Sequence, residues 1–152
     1  MGVRRPMHFV AGGAFNGKSA WVKERYSIGQ HSSWMWVSAY REDKIPSPDH
    51  LSVMPDIVIL QGIEVWLRKM LDDVSEVQPA REKWRGILHE WKQWEADERT
   101  VIFIGNDITK GIVPIDEMDR KHRDLCGWCF QDTVLASDKA DQIWYGIPTK
   151  LK

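Results

Sequence analysis

The chain has 152 residues, 43% hydrophobic and 28% charged, which is enough for one sizeable core and short for two. Twenty-one basic against 22 acidic side chains leave a formal charge of -1, so the overall balance favours neither nucleic acid nor an anionic membrane, and any polyanion site must be local. No run reaches the ~18 apolar residues of a membrane span, Met1 to Pro6 leads into a stretch too short for a secretory signal, and two cysteines are too few for a disulfide framework. A single-domain cytoplasmic protein is therefore the expectation.

Met7 to Ala11 predicts a short apolar strand, and Gly12, Gly13, Ala14, Phe15, Asn16, Gly17, Lys18 and Ser19 then satisfy G-x-x-x-x-G-K-S without a gap. The glycines let consecutive backbone N–H groups turn inward around phosphate oxygens, and a helix over Ser19 to Arg25 adds the partial positive charge of its N-terminus. Lys18 is expected on the β- and γ-phosphates and the Ser19 hydroxyl on Mg²⁺. A chance match on a Gly-rich turn would lack this strand-loop-helix setting, so the segment reads as a phosphate-binding loop.

Trp34 to Tyr40, rich in aromatics, predicts a second strand, and a loop from Arg41 to Pro55 holds Pro46, Pro48 and Pro55. Asp56 to Gln61 is a continuous apolar run of the kind buried on both faces of a parallel sheet. Glu64 to Asp73 reads as helix, and a further helix from about Pro79 to Ala96 carries Trp84, Ile87, Leu88, Trp91 and Trp94 as a core-facing stripe. Thr100 to Ile104 is the fourth strand, Ile115 to Ser137 a long helix and Ala140 to Tyr145 a last strand. Strands alternating with helices predict an α/β protein of the P-loop type: a mainly parallel open sheet with helices on both faces.

An acid normally ends the third strand of such a site and steadies Mg²⁺ or its water, but Gln61 stands there. Glu64 lies a few residues on. Asp107, after the neighbouring strand, is the chosen candidate for the carboxylate, the alternative being a helix or turn cap. His122, Cys126 and Cys129 share one helical face, which suits small buried thiols on a core helix better than a metal site without an evident fourth ligand. Nine tryptophans could pack the core or offer flat apolar surface to a ligand or a subunit.

The phosphate loop, Asn106-Asp107 with Gly111-Ile112-Val113-Pro114, His122 to Gly127, Gln131, Ala140 to Trp144 and the ending Gly146-Ile147-Pro148 together resemble the adenosylcobinamide kinase / adenosylcobinamide-phosphate guanylyltransferase family. The resemblance implies a P-loop fold, commonly a homotrimer, that phosphorylates the aminopropanol hydroxyl of cobinamide with ATP or GTP and Mg²⁺ and then transfers GMP to that phosphate. It implies Gly111 and Arg123 as substrate-binding residues, and neither nucleic acid nor membrane as partner. The family's histidine segment after the second strand, whose histidine takes GMP covalently, has no counterpart in this sequence. The lone histidine of that loop, His50 in Ser47 to Leu51, is either a relocated nucleophile or a solvated loop residue. Trp128 and Phe130 replace the family's arginine and asparagine, and the chain is shorter between Trp144 and Gly146. Lys18, Ser19 and Asp107 still suffice for phosphoryl transfer, so kinase activity is expected over guanylyl transfer.

Overall fold

The computed structural model describes residues 7–13, 17–30, 33–50, 55–94 and 99–152. In chain order the elements are β1 (His8–Gly12), α1 (Lys18–Arg25), β2 (Trp34–Ser38), β3 (Ile57–Gln61), α2 (Ile63–Val74), α3 (Val77–Trp94), β4 (Thr100–Asn106), α4 (Glu117–Ala136), β5 (Lys139–Trp144) and β6 (Ile147–Lys150), with short 3₁₀ turns at Ala39–Arg41 and Pro48–His50. The strands form one sheet in the order β2-β3-β4-β1-β5-β6. β1 to β5 run parallel, whereas β6 returns antiparallel to β5. This is the α/β architecture expected from the sequence.

The apolar runs have a physical reason. β3 and β4 lie inside the sheet and are covered on both sides, so successive residues feed two separate cores. Val10, Ile57, Ile59, Ile102, Ile104 and Ile143 meet Val22 of α1 on one face. Phe9, Val58, Leu60, Val101 and Phe103 meet α2, α3 and α4 on the other. Trp84, Leu88, Trp91 and Trp94 form the predicted stripe and are buried, with Ile87 packed at its margin. Trp84 stands edge-on to Phe103 at 5.7 Å between ring centres and donates its indole N–H to Thr133 Oγ1 at 2.9 Å. Arg81 grips both carboxylate oxygens of Asp132 at 2.8 and 2.9 Å, tying α3 to α4.

Several boundaries differ from the sequence expectation. β2 stops at Ser38 because the Ser38 hydroxyl accepts from Tyr40 N–H at 3.2 Å and the Asp43 carboxylate accepts from Ser38 N–H at 3.0 Å, which turns the chain out of the sheet. α3 starts at Val77, before Pro79, which still falls in the first helical turn where a missing N–H costs no ladder bond. α4 starts at Glu117, capped by the Asp116 carboxylate on Asp119 N–H at 3.1 Å. The last strand is followed by another. Tyr145 and Gly146, at φ 51° and 76°, make a two-residue turn of the twist that suits a hairpin, and Ile147–Lys150 folds back on β5.

Cys126 and Cys129 are free thiols without solvent exposure, and burial pushes the Cys129 thiol up to about 12. His122 donates from Nε2 to the Glu64 carbonyl at 2.8 Å and does not join them in a cation site.

At the opposite end of β1, His8 is 1% exposed, with Nε2 at 2.6 Å from Asp141 and Nδ1 at 2.5 Å from the Tyr26 hydroxyl. Burial holds this imidazole below its ordinary 6.5 although the Asp141 carboxylate pulls the other way, and burial lowers His122 likewise. The unfolded chain then binds protons more tightly than the folded one. The stability of the neutral rings is complete above about pH 6.5 and drains as the pH falls below it. The melting temperature should therefore drop between about pH 7 and pH 5, before most carboxylates titrate. Calorimetric scans that stay flat across that interval would contradict the buried neutral histidines.

Candidate functional site

β1 delivers the chain to the site. A β-carbon on Gly12 would lie 2.5 Å from the carbonyl oxygen of Ile143 on β5, so only glycine lets the loop leave the sheet there. Gly17 takes φ 84° as the N-cap of α1, and Lys18 opens the helix. Ala14, Phe15 and Asn16 lie outside the described residues.

Lys18 is 8% exposed. Its ammonium donates to the Gly13 carbonyl at 2.8 Å and to Asn106 Oδ1 at the end of β4. Burial lowers the pKa of Lys18, and the Glu64 carboxylate opposes that drift. Next to it, Ser19 Oγ accepts from Gln61 Nε2 at 2.6 Å. The indole N–H of Trp36 donates to Gln61 Oε1 at 3.0 Å. Because an indole nitrogen can only donate, this contact fixes which end of the amide faces Ser19. Gly17, Lys18, Ser19, Tyr40, Gln61 and Asn106 line a cavity of about 460 Å³ at the C-terminal edge of the sheet, where open α/β sheets take ligands.

The carboxylate nearest in chemistry to this cavity is Glu64, in the first turn of α2 and 5% exposed. Its Oε1 accepts from the backbone N–H of Asn106 at 2.9 Å, and its Oε2 accepts from the Tyr40 hydroxyl. Burial and that carboxylate push the Tyr40 hydroxyl pKa well up, so Tyr40 remains a donor.

Asp107 is placed differently. Alternation along β4 sends Asn106 to the α1 face with Ile102 and Ile104, and Asp107 to the other. Its backbone N–H donates to the Gly12 carbonyl at 2.9 Å, and Oδ1 accepts from Thr109 N–H at 2.9 Å and from the Thr109 hydroxyl at 2.5 Å. The side chain thus caps a turn and borders a second, largely apolar cavity with Phe9, Ala11 and Phe130. Arg123 and Gly111 do come together. Arg123 Nε and Nη2 donate to the Thr109 carbonyl at 2.9 and 2.6 Å, and Nη2 reaches the Gly111 carbonyl at 3.4 Å, so the guanidinium tethers the loop after β4 to α4.

His50 ends a 3₁₀ turn, and its side chain lies outside the described residues. Ser47, just before that turn, donates to Glu90 at 3.1 Å near the C-terminal end of α3, the end that Lys92 ties to Asp138 ahead of β5. The turn is therefore anchored toward the edge of the sheet opposite the phosphate loop. His31, the other histidine of a polar loop, lies outside the described residues.

Asn106, Tyr40 and Trp36 carry the contacts that sequence reasoning did not assign to the site. Counting the two-residue period of β4 from Ile102 would have separated Asn106 from Asp107; the roles of Tyr40 and Trp36 depend on the Ser38 turn and the β2-β3 register.

No described helix is long and apolar enough to cross a membrane. No curated protein matches the chain. The family model described as cobinamide kinase / cobinamide phosphate guanyltransferase matches residues 31–151, starting after the phosphate loop, so motif and match are separate observations. On that match the chain belongs to the cobinamide kinase / cobinamide phosphate guanyltransferase family.

Proposed function

We propose that this enzyme transfers the γ-phosphoryl group of ATP or GTP to the aminopropanol hydroxyl of cobinamide, a step of cobalamin biosynthesis or salvage, and that this kinase activity rather than guanylyl transfer is its chemistry. The observation that carries the reading is the Lys18 ammonium. It is buried at the N-terminus of α1, held by the Gly13 carbonyl and Asn106, and faces a cavity at the C-terminal edge of a parallel sheet. Such an ammonium, a helix N-terminus and a glycine loop are the parts that cradle a triphosphate.

The donor set fits Mg²⁺. Ser19 offers a half-buried hydroxyl oxygen with a lone pair left after the Gln61 contact, and Mg²⁺ accepts few protein oxygens because it keeps several waters. When bound, the ion would neutralise charge on the transferring phosphoryl group. Lys18 exchanges its two carbonyl partners for phosphate oxygens, and its interaction grows as charge develops on the leaving group. The Gly111 loop, tethered by Arg123, is the element we assign to the acceptor side. The resemblance also carries a homotrimer, which the exposed Ile112, Val113 and Ile115 beside that loop would suit.

The direct test is transfer of label from γ-labelled ATP or GTP to cobinamide. Labelled cobinamide phosphate is the expected product; triphosphate turnover on another small-molecule alcohol but none on cobinamide would replace the acceptor, and bound nucleotide without turnover would mark a binding protein. Lys18→Ala should weaken triphosphate binding and lower kcat by at least ~100-fold with the melting temperature little changed, since removing one preorganised charge stabiliser typically costs 10²–10³ in rate.

Guanylyl transfer through a covalent protein intermediate needs a nitrogen nucleophile at the α-phosphate, and the turn carrying His50 is anchored away from the loop. Incubation with α-labelled GTP should leave no acid-labile label on the protein. Label present in the wild type and lost in His50→Ala would make the chain bifunctional.

A further inference from the structure

The site has lost the acid that usually ends the third strand, yet it is not without negative charge. Gln61, in that place, is a neutral amide locked between Trp36 and Ser19 and cannot rotate its oxygen toward Ser19 without setting its NH₂ group against the indole N–H. Glu64 lies three residues on, one turn into α2. Its two oxygens are fixed by the Asn106 backbone N–H and the Tyr40 hydroxyl, and both partners line the cavity that holds Lys18 and Ser19. The link to the lysine is short. The residue whose N–H binds Glu64 is the same residue whose side-chain oxygen binds the ammonium.

We propose that Glu64 is the working carboxylate of the nucleotide site, a positioning residue that holds Asn106 against Lys18 and whose charge makes the cavity select the metal-bound triphosphate over the free one. The assignment rests on the nucleotide reading above. Its physical basis is charge. A free triphosphate brings about four negative charges to a site where a buried carboxylate is already bound to the residue that holds the lysine, and repulsion at low effective dielectric is costly. Bound Mg²⁺ removes much of that repulsion. Asp107 is engaged elsewhere: one of its oxygens accepts from both the N–H and the hydroxyl of Thr109, and its side chain borders the cavity of Phe9, Ala11 and Phe130 rather than the one that holds Lys18.

The test is the affinity of the purified full-length protein for a non-hydrolysable ATP analogue, measured by titration calorimetry once in excess chelator and once in excess Mg²⁺. Glu64→Gln keeps the shape and one acceptor oxygen but removes the charge. Metal-free binding should tighten and the Mg²⁺ preference should shrink, each by roughly tenfold, the size of one like-charge contact across a partly desolvated site. A purely structural role for Glu64 predicts something else: both affinities weaken together and their ratio stays put. That result, or no change in either affinity, overturns the proposal. So does a larger loss of Mg²⁺ preference in Asp107→Asn than in Glu64→Gln. Tyr40→Phe supplies the check if Glu64→Gln does not fold, since it removes a hydrogen bond and keeps the carboxylate; it should retain the wild-type preference, and its loss would show that the hydroxyl and not the charge sets the ratio. A wild-type protein that binds the analogue in neither condition overturns the nucleotide reading itself and this assignment with it.

Discussion

A buried ammonium needs lone pairs, and the position of Lys18 is where that need is met in this fold. Its partners come from the loop itself, through Gly13, and from the end of a different strand, through Asn106. Both are in place only because β1 lies directly beside β4 with Gly12 opposite Asn106. Strand order, register and the glycine that lets β1 pass the Ile143 carbonyl are thus requirements of one cation. Both partners are neutral oxygens, which a charged lysine can exchange for the more strongly accepting oxygens of a phosphate.

The sheet divides the labour between its faces. Among the described residues, one side carries a single helix, α1. Three helices, the tryptophan stripe and the Arg81–Asp132 clamp stabilise the other. The residues at the C-terminal ends of β3 and β4 belong to one face or the other by parity alone. This explains why Asn106 and Asp107, adjacent in sequence, border different cavities. Glu64 reaches Asn106 from the three-helix side, carried by a helix and not by a strand. Its helix begins right after Gly62, which takes φ 89° and brings α2 close under Tyr40.

Much of this was legible in the sequence where a signal is periodic or punctuated. The apolar runs at Ile57 to Leu60 and Val101 to Ile104 read as doubly buried strands because no polar residue interrupts them, and the spacing of Trp84, Leu88, Trp91 and Trp94 reads as a buried helical face. The G-x-x-x-x-G-K-S motif from Gly12 to Ser19 stood out by its spacing and by the strand and helix on either side of it. What escaped was chemistry that depends on a partner distant in the chain. The Ser38 hydroxyl ended β2 two residues early through a bond no pattern encodes. β6 was missed because Tyr145-Gly146 is not one of the usual hairpin dipeptides, although its conformation is that of one. Asp107 drew attention as an acid at a strand end, while Glu64, set back by one helical turn, gained its relation to Lys18 only through Asn106.

The hairpin has one more implication. With a two-residue turn at Tyr145-Gly146, Trp144 and Ile147 form the pair that exchanges hydrogen bonds, so the next residue of β6, Pro148, turns its nitrogen outward. The outward side of the last strand therefore lacks a donor at its middle, which is a recognised way to stop a sheet from recruiting another chain. Among the described residues, a chain docking along this side would meet side chains such as Ile147 and Leu151 rather than an open row of donors, and at the other edge of the sheet, β2, the Ser38 N–H is already taken by the Asp43 carboxylate.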